Sequence, residues 1–419
     1  GTTIDCTRRD PITSDFGQYM NNRFIIYDAN EVLAMTDILN GTAEQADYDL
    51  LFKGYADYSK LSAADKATYI INNKEALRLK VYNGYFLVNN NIAILEDGFT
   101  GIPKFNGVFS GGTESQPSTI IATISTTEAS GPNYYGLFKE LGPQALVRNL
   151  KLTTSIGITG NDSANDSSVI YAGGLAGYAD DPFISNVEIN TRHGIVSNKS
   201  TVYAGGYAGI LSGGISNHET LDLNFTQSSW ILTSNGSDEI YSGLFTATNN
   251  GNDNVYCHNI EFNLDNTSAV INTSNNIYFG GLIGELSSTS SSSFDDIVIN
   301  SNGASFQSII DAGTSYMGGL IGNVNTSSAS VNVGFVRIIG TETNDTSFLN
   351  QTFDANSSAN LYTGGLFGYI NGTQLIATDS FKDSIHEYTV DGKPVVAGDY
   401  LFDGNIIFRS QNDGKGTDT

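Results

Sequence analysis

A glycine-rich motif returns every 32 to 46 residues through most of this chain, and no other feature limits its fold as strongly. The copies read YAGGLAG at 171–177, YAGGYAG at 203–209, YSGLF at 241–245, YFGGLIG at 278–284, YMGGLIG at 316–322 and YTGGLFG at 362–368. A shorter YYGLF precedes them at 134–138. Aligned on Gly136, Gly174, Gly206, Gly243, Gly281, Gly319 and Gly365, they advance by 38, 32, 37, 38, 38 and 46 residues. Steps scattered around one mean describe stacked coils whose corner loops differ in length.

A second pattern keeps pace with the first: LKLT (150–153), VEIN (187–190), LDLN (221–224), IEFN (260–263), IVIN (297–300) and VRII (336–339). Its alternation at period two marks strands with one apolar side. A looser β-rich stretch follows, as in SIGITG (155–160), GIVSN (194–198), WILTS (230–234) and AVINTS (269–274). Three short strands per unit, with Gly, Asn and Ser at the corners, predict a mainly β chain wound as a three-sided parallel β-solenoid.

Coils stacked ~4.8 Å apart place Leu175, Tyr207, Leu244, Leu282, Leu320 and Leu366 in one structural column. Val187, Leu221, Ile260, Ile297 and Val336 form another. Burial of each such leucine contributes about 1.5–3 kcal/mol. The tyrosines at 171, 203, 278, 316 and 362 are expected to stack as a structural ladder rather than as a carbohydrate-binding strip. Asn190, Asn224, Asn263 and Asn300 are expected to form an amide column.

The Gly-Leu-x-Gly core, its upstream aromatic residue and the downstream apolar–x–apolar–Asn strand resemble the GLUG repeat family. FNGVFSGG at 105–112 looks like the lead-in that precedes such arrays. The resemblance covers roughly residues 99–380. It implies a right-handed parallel β-helix of the kind found in adhesin-like and IgA-protease-like bacterial surface polypeptides. Tyr207 in place of Leu, and the shortened copy at 241–245, depart from the pattern.

Residues 1–98 lack the repeat and are expected to form a mixed α/β N-terminal cap over an otherwise open sheet edge. Helices are predicted over Glu31–Leu39, stopping at Asn40-Gly41, and from Ser62 through Lys66–Lys80, with Tyr69, Ile70 and Leu77 on the apolar face. VYNGYFLV (81–88) and NIAILED (91–97) read as strands. Residues 381–419 read as two or three strands, HEYTV (386–390), KPVVAG and YLFDGNIIFR (400–409), then a flexible tail. They either cap the last coil or are donated to another subunit.

With 44 acidic against 20 basic residues, the net charge of −24 opposes nucleic-acid phosphates and anionic lipid. No apolar run approaches the ~18 residues of a membrane span. The first residues carry no signal-peptide pattern, so the leader of an exported form is expected to have been removed or to lie outside this sequence. Cys6 and Cys257 allow one disulfide or two free thiols and exclude a cysteine zinc cluster.

No catalytic constellation emerges. His193, His218, His258 and His386 lack zinc spacing and read as surface or corner residues. Asp180-Asp181 and Asp295-Asp296 are expected to occupy equivalent corners before VEIN and IVIN. Paired acids serve glycoside hydrolysis or bind Ca²⁺ through oxygen ligands, and solvated turns are the simpler reading. Arg148, Arg192 and Arg337 are too scattered for a polyanion lyase. The expectation is a non-enzymatic extracellular or cell-surface scaffold without cofactor, with Ca²⁺ the one metal ion considered. It would be adhesin-like or a self-assembling envelope or filament subunit. Its partners would be copies of itself or a host or cell-surface ligand such as a glycan. The alternative is a polysaccharide-degrading or carbohydrate-binding β-helix.

Overall fold

The computed structural model describes residues 23–165, 167–212, 223–226, 229–249, 255–264, 267–287, 291–300, 304–325, 330–334, 336–339, 350–355, 359–364, 367–371, 374–377, 389–390, 393–394, 409–411 and 416–418. The chain winds as a right-handed, three-sided parallel β-helix with short helices near its N-terminal end. One face is a long sheet of eighteen strands among the described residues, including Leu146–Thr159, Phe183–Ser197 and Ser292–Asn300. A second face, of eight strands among the described residues, holds the start of each motif copy, from Pro132–Tyr135 and Val169–Gly173 to Asn360–Gly364, and ends on Gly416–Asp418. A third, of seven, holds the end of each copy, from Phe138–Leu141 and Ala176–Asp180 to Phe367–Asn371.

The three sides are therefore divided differently from the sequence expectation. The glycine motif bends and supplies two faces, while the other two runs share one sheet, fused into one long strand in Leu146–Thr159 and Phe183–Ser197 and separate in later coils, as in Ser292–Asn300 and Ser305–Ile310. The bend has a steric cause. A side chain on Gly173 would collide with the carbonyl of Ala176, three residues ahead. The same collision, with the same offset, holds for Gly205 on Ala208, Gly280 on Ile283 and Gly318 on Ile321. Only a residue without Cβ lets the chain fold back this tightly.

The long strands carry a second device. Asn149, Asn186, Asn259 and Asp296 share the left-handed backbone region, with φ of 56°, 50°, 60° and 53°. Asn and Asp tolerate that region better than other residues with side chains. Each interrupts the alternation: Ile184 points inward, Ser185 and Asn186 do not, and Val187 points inward again. One strand thus turns a corner without leaving its sheet. Asn186 Nδ2 donates to Asn149 Oδ1 at 3.0 Å, tying successive corners together.

Registers correct three expectations. Gly243 pairs with Gly205 and Gly280, and Thr246 with Ala208 and Ile283. Leu244 consequently sits at the second-glycine position, and Phe245 fills the leucine column. Leu175, Tyr207, Leu282 and Leu320 occupy that column as expected, each at most 1 % exposed; Leu366 lies outside the described residues. In the long sheet Val187 and Ile260 both pair with Leu223. The expected occupant of that position, Leu221, is also outside the described residues. The same shift pairs Asn224 with Glu188 and Glu261, so the amide column passes through Thr226 instead.

From Arg23 onward, the described N-terminal strands are part of the solenoid. Arg23–Ile26 pairs with Tyr85–Val88, which pairs with Val108–Ser110, and Ile92–Ile94 pairs with Ser118–Thr127. No break in the sheet falls at the boundary placed between 98 and 99. The helices lie between the first two of these strands. Ala29–Asn40 opens on a capping box between Asp28 and Glu31 and ends at left-handed Gly41, φ 75°. Ala63–Tyr82 starts from Ser62, whose Oγ accepts from the Asp65 N–H at 3.2 Å. It takes in Val81 and Tyr82, the first two residues of the strand expected at 81–88. Val32, Met35 and Ile38 join Phe24 and Phe86 in one core, and the Phe24 and Phe86 rings stack at 4.7 Å. Within 381–419, Arg409–Gln411 and Gly416–Asp418 extend two of the sheets in parallel. Thr389–Val390 pairs antiparallel with Lys393–Pro394.

Candidate functional site

The bend at each motif places its tyrosine on the outside of the core, one above the next. Seven rings form an unbroken stack: Tyr134, Tyr171, Tyr203, Tyr241, Tyr278, Tyr316 and Tyr362. Successive centroids lie 4.9, 5.1, 4.6, 4.3, 5.0 and 5.4 Å apart, with planes inclined by 17° or less. Parallel pairing puts identical residues at one height per coil, and the stack follows from that register. Tyr134 and Tyr241 join the expected ladder because Tyr134 pairs with Tyr171 and Gly243 stands at the first-glycine position, opposite Gly205.

The stack lines the inner angle between two faces. Gly177 approaches so closely that a Cβ there would lie 2.8 Å from the Tyr134 Cβ. Tyr178 stands edge-on to Tyr134 at 6.1 Å, and Tyr369 lies 5.0 Å from Tyr362. Between these ends the opposing strands bring Thr248, Glu285 and Asn323 into register. Tyr241 and Tyr278, with Ala247, form a hydrophobic cluster separate from the main core, flanked by Tyr203 and Tyr316.

Two carboxylates serve this cluster. The Tyr241 hydroxyl donates to Glu239 Oε2 at 2.8 Å, and Asn276 Nδ2 donates to Glu239 Oε1 at 2.9 Å. Asn323 Nδ2 donates to Glu285 Oε2 at 2.8 Å. Burial raises the Glu285 carboxyl above its usual range, the Asn323 amide opposes that, and the charge of Glu239 adds to it. Burial, followed by neighbouring tyrosine and carboxylate charge, also raises the phenols of Tyr203, Tyr241 and Tyr278, so all three remain protonated at neutral pH. The ring faces cover one another. What the inner members offer a ligand is a row of ring edges and hydroxyls, not a flat platform.

The two predicted aspartate pairs do not occupy equivalent corners. Asp180 ends Ala176–Asp180 and pairs with Ser212 at one corner. Asp295 pairs with His258 inside Ser292–Asn300. By register, Asp296 is the counterpart of Asn259 and Asn186, so the two acid pairs belong to different corners. Among the described residues no three His, Cys, Asp or Glu side chains converge as a metal site.

His193 departs most from the surface reading. It is buried, its Nε2 lies 2.9 Å from the Gly205 carbonyl and its ring 5.9 Å from that of Trp230. Burial lowers its pKa to about 4 despite that carbonyl, so the imidazole is neutral. Cys257 carries a free thiol inside the core, where burial pushes its pKa up. Cys6, His218 and His386 lie outside the described residues.

One functional-looking group was not anticipated. Glu128 is completely buried, and its carboxylate accepts from the N–H groups of Asn161 at 3.0 Å, Asn198 at 2.8 Å and Lys199 at 3.0 Å. Burial alone would raise its pKa; the hydrogen bonds prevail and lower it to about 2. It joins three successive coils as a fixed anion. Nothing local in the sequence around Glu128 marks it, because its partners lie 33 to 71 residues away. Among the described residues no helix is long and apolar enough to cross a membrane. Comparison with protein families, curated proteins and solved structures finds no match.

Proposed function

We propose that the chain is a non-enzymatic scaffold displayed outside the cell, adhesin-like or the structural subunit of a self-assembling envelope or filament. One observation carries this reading: groups repeated from coil to coil are engaged with their own copies. The tyrosine faces cover one another, the corner amides of Asn149 and Asn186 bond each other, and Glu128 holds three coils together. Such a column resists bending and sets distance. Seven stacked rings at the β-spacing span about 29 Å. Resemblance to surface-displayed repeats and the acidic, Ser/Thr/Asn-rich composition support placement outside the cell.

Negative-stain imaging of the purified protein, together with its mass across a wide concentration range, tests the two versions. Rods joined into lattices or filaments support the assembling subunit, and a strict monomer counts against it. New reducing ends or unsaturated products from a polysaccharide panel, lost on Asp181→Asn, would overturn the non-enzymatic reading altogether.

A second reading has one specific observation in its favour: the hydroxyl-lined angle beside Glu239 and Glu285 offers hydrogen-bonding groups at a regular spacing suited to a polymeric glycan. Glycan-array binding that disappears on Tyr203→Ala, with folding retained, would establish it.

A further inference from the structure

We propose that Tyr241 and Tyr278 form an oxidative cross-linking site, at which a peroxide-derived one-electron oxidant joins two successive coils through a dityrosine bond. Geometry selects this pair. Their rings are 4.3 Å apart and 2° from parallel, the shortest and flattest contact of the stack. The other neighbours stand 4.6 to 5.4 Å apart and 11° to 17° from parallel. Rings held face to face in the same orientation bring like carbons of the two phenols opposite each other.

Chemistry selects it as well. A phenol gives up an electron readily only if its proton can leave at the same time. The Tyr241 hydroxyl already donates to Glu239 Oε2 at 2.8 Å, within reach for direct transfer. With its phenol held protonated by burial, Tyr241 depends on that acceptor. Half-buried Tyr203 and Tyr316 flank the pair at 4.6 and 5.0 Å. An oxidant that reaches either ring from solvent can pass the electron hole inward along the stack, and it settles where the proton has somewhere to go.

The step balances. Tyr241 yields one electron to the oxidant and its hydroxyl proton to Glu239; Tyr278 yields a second electron and a proton to water. The two phenoxyl radicals couple through a new carbon–carbon bond between ortho positions. Each of those carbons then releases its hydrogen as a proton while each phenol oxygen regains one. The net loss is two electrons and two protons, and one hydrogen peroxide takes them up to give two waters. This site is independent of where the rod is displayed or what it binds.

The test exposes dilute full-length protein to photogenerated tris(bipyridyl)ruthenium(III), a small one-electron oxidant, and maps cross-links by peptide mass spectrometry with dityrosine fluorescence as the yield. The expected result is an intramolecular link between Tyr241 and Tyr278, two hydrogens lighter than the separate peptides, as the main product. Tyr241→Phe keeps the ring in the stack and should abolish the link. Glu239→Gln should lower its yield several-fold with an unchanged circular dichroism spectrum. Links distributed evenly over the ladder, links formed only between molecules through exposed Tyr27, or an unchanged yield in Glu239→Gln would each overturn the proposal.

Discussion

Tyr207 and Phe245 stack inside the solenoid with ring centroids 5.2 Å apart and planes at 15°, in the column that leucine fills in the neighbouring coils. Both departures from the repeat thus meet each other. Two flat rings replace two branched side chains and share one widened layer of core. The match has one flaw: the Tyr207 hydroxyl is buried without a hydrogen-bond partner among the described residues.

Tyr207→Phe is therefore expected to stabilise the fold by about 1 kcal/mol, because an unsatisfied buried hydroxyl is removed while the stack is kept. Thermal or urea denaturation reads the change. A loss of stability would show that the hydroxyl has a partner in solution.

Leu282 is fully buried in mid-column between Phe245 and Leu320. Leu282→Ala should cost about 2–5 kcal/mol through lost burial and an unfilled cavity. Leu282→Asp should prevent folding. A cost below 1 kcal/mol for the alanine, measured in urea, would contradict direct packing between coils.

Two glycines give a paired test of the bend. A Cβ on Gly280 would collide with the Ile283 carbonyl, so Gly280→Ala should cost about 3 kcal/mol or more. At Gly194, within Phe183–Ser197, a Cβ meets no atom within 4 Å. Gly194→Ala should stabilise by about 0.5 kcal/mol, since alanine loses less backbone freedom in a strand. Equal effects at the two positions would refute the steric account.

Acid should weaken the fold in two windows. Both groups have folded pKa values below their unfolded ones, so each contributes stability that is complete above the unfolded value and lost as pH falls. For His193 the loss runs from about 6.5 down to about 4. For Glu128 it runs from about 4.5 to about 2 and amounts to about 3 kcal/mol. Denaturation across pH should show the upper window vanish in His193→Gln and the lower one in Glu128→Gln. A variant with the wild-type pH profile would exclude its residue as the source.

Much of the architecture was legible because its signals are local or strictly periodic. The helix stop at Gly41 and the helix start at Ser62 are written in capping residues that act within a few positions, whereas the first helix begins at Ala29, two residues before the expected Glu31. The leucine column at Leu175, Leu282 and Leu320 follows from motifs spaced one coil apart. Register was not legible to the same degree. In LDLNF either leucine satisfies the alternation, since a shift of two leaves the apolar side unchanged; only backbone pairing selects Leu223. In YSGLF a lone glycine followed by leucine imitates the second half of the motif, yet the fold needs the glycine at the collision point and places Leu244 after it.

The candidate site was visible as a list of tyrosines and hidden as an arrangement. Stacking was foreseen for the copies with two glycines. The closest pair, Tyr241 with Tyr278, emerged only once the coils were paired. The Glu239 and Glu285 partners and the buried Glu128 came from side chains converging across coils, which no spacing within one unit announces. Sequence alone determined that this chain coils and with what period, because motif spacing and alternation are written in the residues of each unit. Tertiary structure decided which residues lie above one another, because parallel strands choose partners some 37 residues away through the packing of a whole coil on the next.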